Sequence, residues 1–168
     1  MQFKVANVKV SIKVSAIPLD IVCKIAKERN ISLKVHNNFI VLKANFTFII
    51  FKAKNLVENH INITKIPNVK SIPIAILEIE NILMCEHFNL CVDNIIASSS
   101  VNKAVSLINI VKSRNFEKIK YNNQKFPGLF ITFKKGTAII FHSGKIVIVG
   151  CKSICDIECI LRNISVNI

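Results

Sequence analysis

The sequence predicts an α+β fold made of two tandem repeats, each a strand, a helix, several antiparallel strands and a closing helix. Alternating apolar and polar runs bounded by turn residues give the strands, and runs with helical apolar spacing separate them. The same landmarks then come twice in one order. Asn7-Val8-Lys9-Val10-Ser11 returns 87 positions later as Asn94-Ile95-Ile96-Ala97-Ser98, and Phe126 follows Phe39 at the same interval.

In the first repeat, Asn7 to Ser11 opens a strand, Ile17 to Arg29 reads as a helix, and Phe39 to Leu42 and Thr47 to Phe51 read as strands. Ile72 to Met84, after Pro67, is the closing helix. In the second, Asn94 to Ser98 opens a strand and Asn102 to Asn115 reads as a helix. Phe126 to Phe133, Thr137 to Phe141 and Lys145 to Val149 are strands, and Ser153 to Asn163 closes the repeat after Gly150-Cys151. Thr137 to Phe141 follows Thr47 to Phe51 by 90 positions, which needs a loop difference of three residues. Gly136-Thr137 and Ser143-Gly144-Lys145 are turn signals for hairpins. The counterpart of the second turn, Lys52 to Asn59, is longer, polar and free of glycine, so a looser loop is expected there. The junction falls within Cys85 to Asn89, giving repeats of 1–86 and 87–168.

With 168 residues, 51% of them hydrophobic and 20% charged, the chain can bury a sizeable core, and wholesale disorder is excluded. A formal charge of +13 points to a polyanion, either nucleic acid or an anionic membrane, although AT-rich codons would also supply much Lys, Asn and Ile. No apolar run reaches the roughly 18 residues of a membrane-spanning helix, and Met1 to Ile17 alternates Lys with Val and Ile rather than forming a secretory signal. A reducing compartment is therefore expected, with the 6 Cys as free thiols and the Asn45, Asn62 and Asn163 sequons unused. Cys151, Cys155 and Cys159 lie at a spacing of four, which suggests a buried helix stripe rather than a zinc set. His36, His60, His87 and His142 have no triad spacing, and Ser143-Gly144-Lys145 lacks the glycine loop of a phosphate-binding turn. The expectation is a non-enzyme with no cofactor, no metal and no small-molecule substrate.

At these residues the chain resembles the TATA-box-binding protein family, over essentially its whole length and most clearly from Asn94 to Ser153. Asn94 to Ser98, Phe126-Pro127-Gly128-Leu129, Ile140-Phe141-His142-Ser143-Gly144-Lys145 and Gly150-Cys151-Lys152 are similar to that family's strand openings, stirrup and hairpin, in its order. The resemblance implies a pseudo-two-fold saddle, in which two halves share a curved antiparallel sheet with DNA on the concave face and helices on the convex side. It also implies that two Phe per half wedge between base steps and kink the duplex, the matching positions being Phe39 and Phe51, and Phe126 and Phe141. A ring inserted in a step offsets part of the unstacking cost and lets a wide protein surface meet a flattened minor groove.

The opening Asn of each half, here Asn7 and Asn94, is implied to hydrogen-bond A N3 and T O2. Because residues i and i+2 of a strand share a face, Ile96 goes with Asn94, Ile49 with Phe51, Ile139 with Phe141, and Val147 with Val149. The resemblance implies that the Val and Ile among these match the family's apolar floor, which discriminates against G·C by leaving the G amino group without a partner. Lys43, Lys134, Lys135, Lys145 and Lys152 are candidates for phosphate contacts, which position without specifying.

Several positions depart from the family. Lys9 stands where an apolar floor residue belongs, and Lys13 continues its face. Val149 replaces a groove-contacting Thr, while Thr64 matches that Thr in the other half. Asn122, Asn123, Gln124 and Lys125 replace acidic residues that meet an initiation factor, and Glu78 and Glu80 lie on a helix that is basic in relatives. The function implied is a transcription initiation factor, nuclear or at a viral transcription site, that binds and bends AT-rich promoter DNA and works with general transcription factors and the polymerase machinery. The competing expectations are a degenerate saddle serving as a protein-interaction scaffold, and an accessory domain of a nucleic-acid enzyme.

Overall fold

Alternating Val, Ile and polar residues make β1 (Phe3–Ser15) a long strand with Val8, Val10, Ile12 and Val14 all buried on one face. In the computed structural model, which describes residues 1–53, 57–113 and 115–168, the chain divides into two units. The first is Asn7–Asp93; the second is Asn94–Ile168 with Met1–Ala6.

The first unit continues from β1 through α1 (Leu19–Glu28), β2 (Ser32–Val35), β3 (Phe39–Lys43), β4 (Thr47–Phe51), β5 (Glu58–Ile66), a short 3-10 turn and α2 (Ile72–Leu83) into β6 (His87–Ser100). Its strands run antiparallel in the order β2-β3-β4-β5-β1. One face buries Ile40, Leu42, Phe48, Ile50, Ile61 and Ile63 beneath Val22 and Ala26 of α1 and Ala75, Ile76 and Ile79 of α2. Each such aliphatic side chain contributes about 1.5–3 kcal/mol of apolar burial.

The second unit adds α3 (Leu107–Ser113), β7 (Ile119–Lys120), β8 (Gly128–Phe133), β9 (Gly136–Phe141), β10 (Lys145–Cys151) and α4 (Ile154–Asn167). Its order is β6-β10-β9-β8-β7, again antiparallel. Leu129, Ile131, Ala138, Ile140, Ile146 and Ile148 are buried with Ile157, Ile160, Leu161 and Ile164 of α4.

Several elements differ from the sequence reading. The first helix begins at Leu19, because Pro18 is extended at its N-cap and restrains Ile17 before it. The helix expected from Asn102 to Asn115 is only Leu107–Ser113. Asn102 is left-handed (φ 56°), and the amides of Val101 and Val105 are used by the β9–β10 hairpin, donating to Gly144 O at 3.1 Å and His142 O at 2.8 Å. Strands β2, β5 and β7 were not anticipated. The loop expected over Lys52 to Asn59 lies partly outside the described residues, and its last two residues already belong to β5. There the buried Asn59 accepts from Ile17 N at 2.6 Å and donates to Phe51 O at 2.8 Å, so a polar residue ties strand to strand. The cysteine stripe is also corrected: Cys151 is buried in β10, while Cys155 and Cys159 are exposed on α4. Burial pushes the Cys151 thiol up to about 11, which makes it inert.

Helix α4 starts on a reciprocal cap. Ser153 Oγ accepts from Asp156 N at 3.2 Å, and Asp156 Oδ2 accepts from Ser153 N at 3.1 Å. Lys135 Nζ reaches Asp156 Oδ1 at 3.1 Å. The Ser153 hydrogen bond, then Lys135, holds the Asp156 carboxyl below its ordinary value. A depressed carboxylate contributes stability that is present above its unfolded pKa, about 4, and is lost as pH falls through the lower folded value. In urea titrations between pH 7 and 2, wild type should therefore lose stability on acidification more steeply than Asp156→Asn, and parallel profiles would refute this. Lys135, expected at phosphate, is instead held by this acid at the helix start.

Candidate nucleic-acid interface

The helices cover one face of each sheet, and strand parity sends the remaining side chains to the other, open face. In the first unit the ladders set Phe39 beside Phe51, Val41 beside Ile49, and Lys43 beside Thr47. Ile49 in turn pairs with Asn62 and Thr47 with Thr64, while Asn62 pairs with Ser11 and His60 with Lys13 of β1. In the second unit Phe130, Ile139, Val147 and Ser98 form one cross-strand row. Thr132, Thr137 and Val149 form the next, and Lys145 lies opposite Ser100. Thus Ile49 with Phe51, Ile139 with Phe141, Val147 with Val149, and Asn94 with Ile96 share open faces by parity, as the alternation predicts.

Both aromatic pairs assemble at one end of these faces. The Phe39 and Phe51 ring centroids are 5.7 Å apart, and those of Phe126 and Phe141 are 5.9 Å apart. The two pairs are built differently. Phe39 lies within β3 directly across from Phe51, with His36 stacked on it at 4.4 Å. Phe126 precedes β8, and its partner across from Phe141 is Gly128. A Cβ on Gly128 would come within 2.6 Å of the Phe126 ring, so glycine is what lets the ring lie against the strand. The shared register inferred from the 87-residue interval is therefore corrected by two residues: in the ladders Phe39 corresponds to Gly128.

The opening asparagines lie beside a matched irregularity. In the second unit Asn94 Oδ1 accepts from Gly150 N at 2.7 Å, and Gly150 is left-handed (φ 83°) where the β6–β10 register shifts. In the first, the β1–β5 register shifts likewise, Lys65 takes the left-handed conformation (φ 63°), and Asn7 Oδ1 is buried with no partner among the described residues. Left-handed backbone costs a non-glycine residue about 1 kcal/mol. Lys65→Gly should raise the urea midpoint by an amount worth about 0.5–1 kcal/mol. An unchanged midpoint would mean that the bulge relaxes around Lys65.

The two faces differ in chemistry. Ile96, Ile139, Val147 and Val149 leave the second unit's floor apolar. In the first, Lys9 Nζ lies 3.3 Å from Asp93 Oδ2, Ser11 Oγ donates to Asp93 Oδ1 at 3.0 Å, and Lys13 pairs with Glu58. His60 Nε2 lies 3.2 Å from Asn62 Oδ1. Sequence reasoning missed Asn62, His60, Glu58 and Asp93. The alternation His60, Asn62, Thr64 against Ile61, Ile63 was the available signal, and it was left unassigned after the loop expected over Lys52 to Asn59. Lys43, Lys134, Lys145 and Lys152 are exposed, Lys43 and Lys145 at strand ends on the open faces.

Among known proteins, the family model "Transcription factor TFIID (or TATA-binding protein, TBP)" matches residues 89–168. The TATA-box-binding protein of Methanobrevibacter smithii is 42% identical over 67 residues, 39% of this chain and 36% of that protein. TATA-box-binding protein-like 1 of Entamoeba histolytica is 33% identical over 92 residues, 54% of this chain and 38% of that protein. The matched segments thus span well under half the length of these relatives. In structure the chain is similar to Methanococcus jannaschii TBP, with a TM-score of 0.80 and 24% identity over 98% of this chain and 96% of that one. The expected α+β fold of two tandem repeats therefore holds along the chain, and the sequence signal is concentrated in the second repeat. In sequence the chain is thus similar to the TATA-box-binding protein family over residues 89–168, and along its length it shares the fold of that structural neighbour.

Proposed function

We propose that the protein is a transcription initiation factor that binds AT-rich promoter duplex in the minor groove, bends it, and nucleates a preinitiation complex with general transcription factors and polymerase. The observation that carries this reading is the close aromatic pair at one end of each open face, Phe39 with Phe51 and Phe126 with Phe141. Rings placed so can enter a base step and open the minor groove toward the strand floor. In the second unit that floor is Ile96, Ile139, Val147 and Val149, which accommodates A·T edges and offers the G amino group no acceptor. With Asn94 Oδ1 committed to Gly150 N, the Asn94 amide NH2 is the group left to donate to A N3 or T O2. Lys43, Lys134, Lys145 and Lys152, within a formal charge of +13, supply phosphate contacts.

A second reading, a scaffold with little sequence-specific DNA binding, is favoured by Asp93 and Glu58 on the first unit's face, where they pair with Lys9 and Lys13. The discriminating experiment measures affinity and end-to-end FRET of a TATA-containing duplex and a GC-rich control at two salt concentrations. Bending with preference for the TATA duplex at both salts is expected. Equal, unbent and strongly salt-dependent binding to both duplexes would support the scaffold, because charge alone produces that pattern.

A further inference from the structure

We propose that the first unit accepts a G·C pair in its half of the DNA site, through acceptor oxygens of Asn62 and Asp93, while the second unit rejects one. This rests on the minor-groove reading above and deepens it.

The matched ladders allow the comparison position by position. In the first unit the central row runs Val41, Ile49, Asn62, Ser11; in the second it runs Phe130, Ile139, Val147, Ser98. Asn62 therefore occupies the place of Val147. One row away Lys9 takes the place of Ile96, and Lys9 with Ser11 brings the Asp93 carboxylate to the same face.

In the minor groove A·T and T·A present only acceptors, whereas G·C adds one donor, the G amino group. An apolar floor excludes G·C because that donor loses water and gains no partner. Asn62 removes the penalty, since its amide can turn oxygen toward a G amino group or NH2 toward A N3 or T O2. Asp93, which as a carboxylate can only accept, favours the G donor over the acceptor edge of A·T. Lys9 offsets its charge at 3.3 Å, which lets a carboxylate sit on a DNA-facing surface. Val147 and Ile96 supply no acceptor at the corresponding positions.

A protein with two unlike halves can turn round on its site, and the test uses this. Affinity is measured for an all-AT site, for sites with a G·C pair stepped through either half, for sites with one G·C in each half, and for a GC-rich control. Wild type should bind the best single-G·C sites within about threefold of the all-AT site, by turning its first unit toward the G·C, and lose about tenfold or more with one G·C in each half. Asn62→Val should lose about tenfold more on G·C sites than on the all-AT site; Val147→Asn should recover the doubly substituted site. Both positions lie on open faces, and thermal melting by circular dichroism checks that the variants remain folded. Single-G·C penalties as large as half the doubly substituted site's free-energy penalty, so that the two simply add, or an Asn62→Val variant that treats G·C sites as wild type does, would overturn the inference while leaving minor-groove binding intact. No preference for the all-AT site over the GC-rich control would overturn both.

Discussion

Phe126→Ala with Phe141→Ala is expected to abolish bending of an AT-rich duplex and weaken its binding about a hundredfold or more, since each buried aromatic ring is worth about 1.5–3 kcal/mol. The rings are 5.9 Å apart at one end of the second unit's open face, and Phe126 is 39% exposed without DNA. Their removal therefore costs the fold little and the complex much. Phe130, 5.2 Å from Phe126, stays in β8 and cannot replace it, because its ring is fixed one row along the strand, opposite Ile139. The readouts are FRET efficiency and affinity at fixed salt, with the chain's denaturation midpoint as the control. A duplex that remains bent in the double variant would assign the bend to other contacts.

Phe48→Ala should act in the opposite sense, leaving the open face untouched and removing about 3–5 kcal/mol of stability. Phe48 is fully buried between β3 and β5, paired with Leu42 and Ile63, and its ring meets Phe46 edge-on at 6.5 Å. Strands on both sides are held in register by their ladders, so the cavity cannot collapse. A loss of this size is a large part of a domain's 5–15 kcal/mol. Urea unfolding should show a lowered midpoint, and a shift below about 1 kcal/mol would mean that the helices α1 and α2 close over the gap.

How much of this was legible in advance varies from element to element. Strand β4 was read to the residue, because Thr47 to Phe51 carries β-branched and aromatic side chains throughout. Helix α2 was read to within one residue at its C-terminus. By contrast β5 was missed: its open face, His60, Asn62 and Thr64, is polar, and the expected loop over Lys52 to Asn59 took in its first two residues. The helix before β7 was overextended because periodicity cannot register that the amides of Val101 and Val105 serve the β9–β10 hairpin.

The candidate site divides in the same way. Local sequence sufficed for which strand residues share a face, since alternation is a property of the extended backbone itself. It also sufficed for the duplicated landmarks, and so for the fold class and the aromatic residues at issue. Tertiary structure alone decided that Phe126 reaches Phe141 from outside its strand over Gly128, that Lys135 is taken by Asp156, and that Asp93 stands beside Lys9 and Ser11. Each of those depends on a partner distant in the chain, and the register between strands, which no single strand encodes, is what selects the partner.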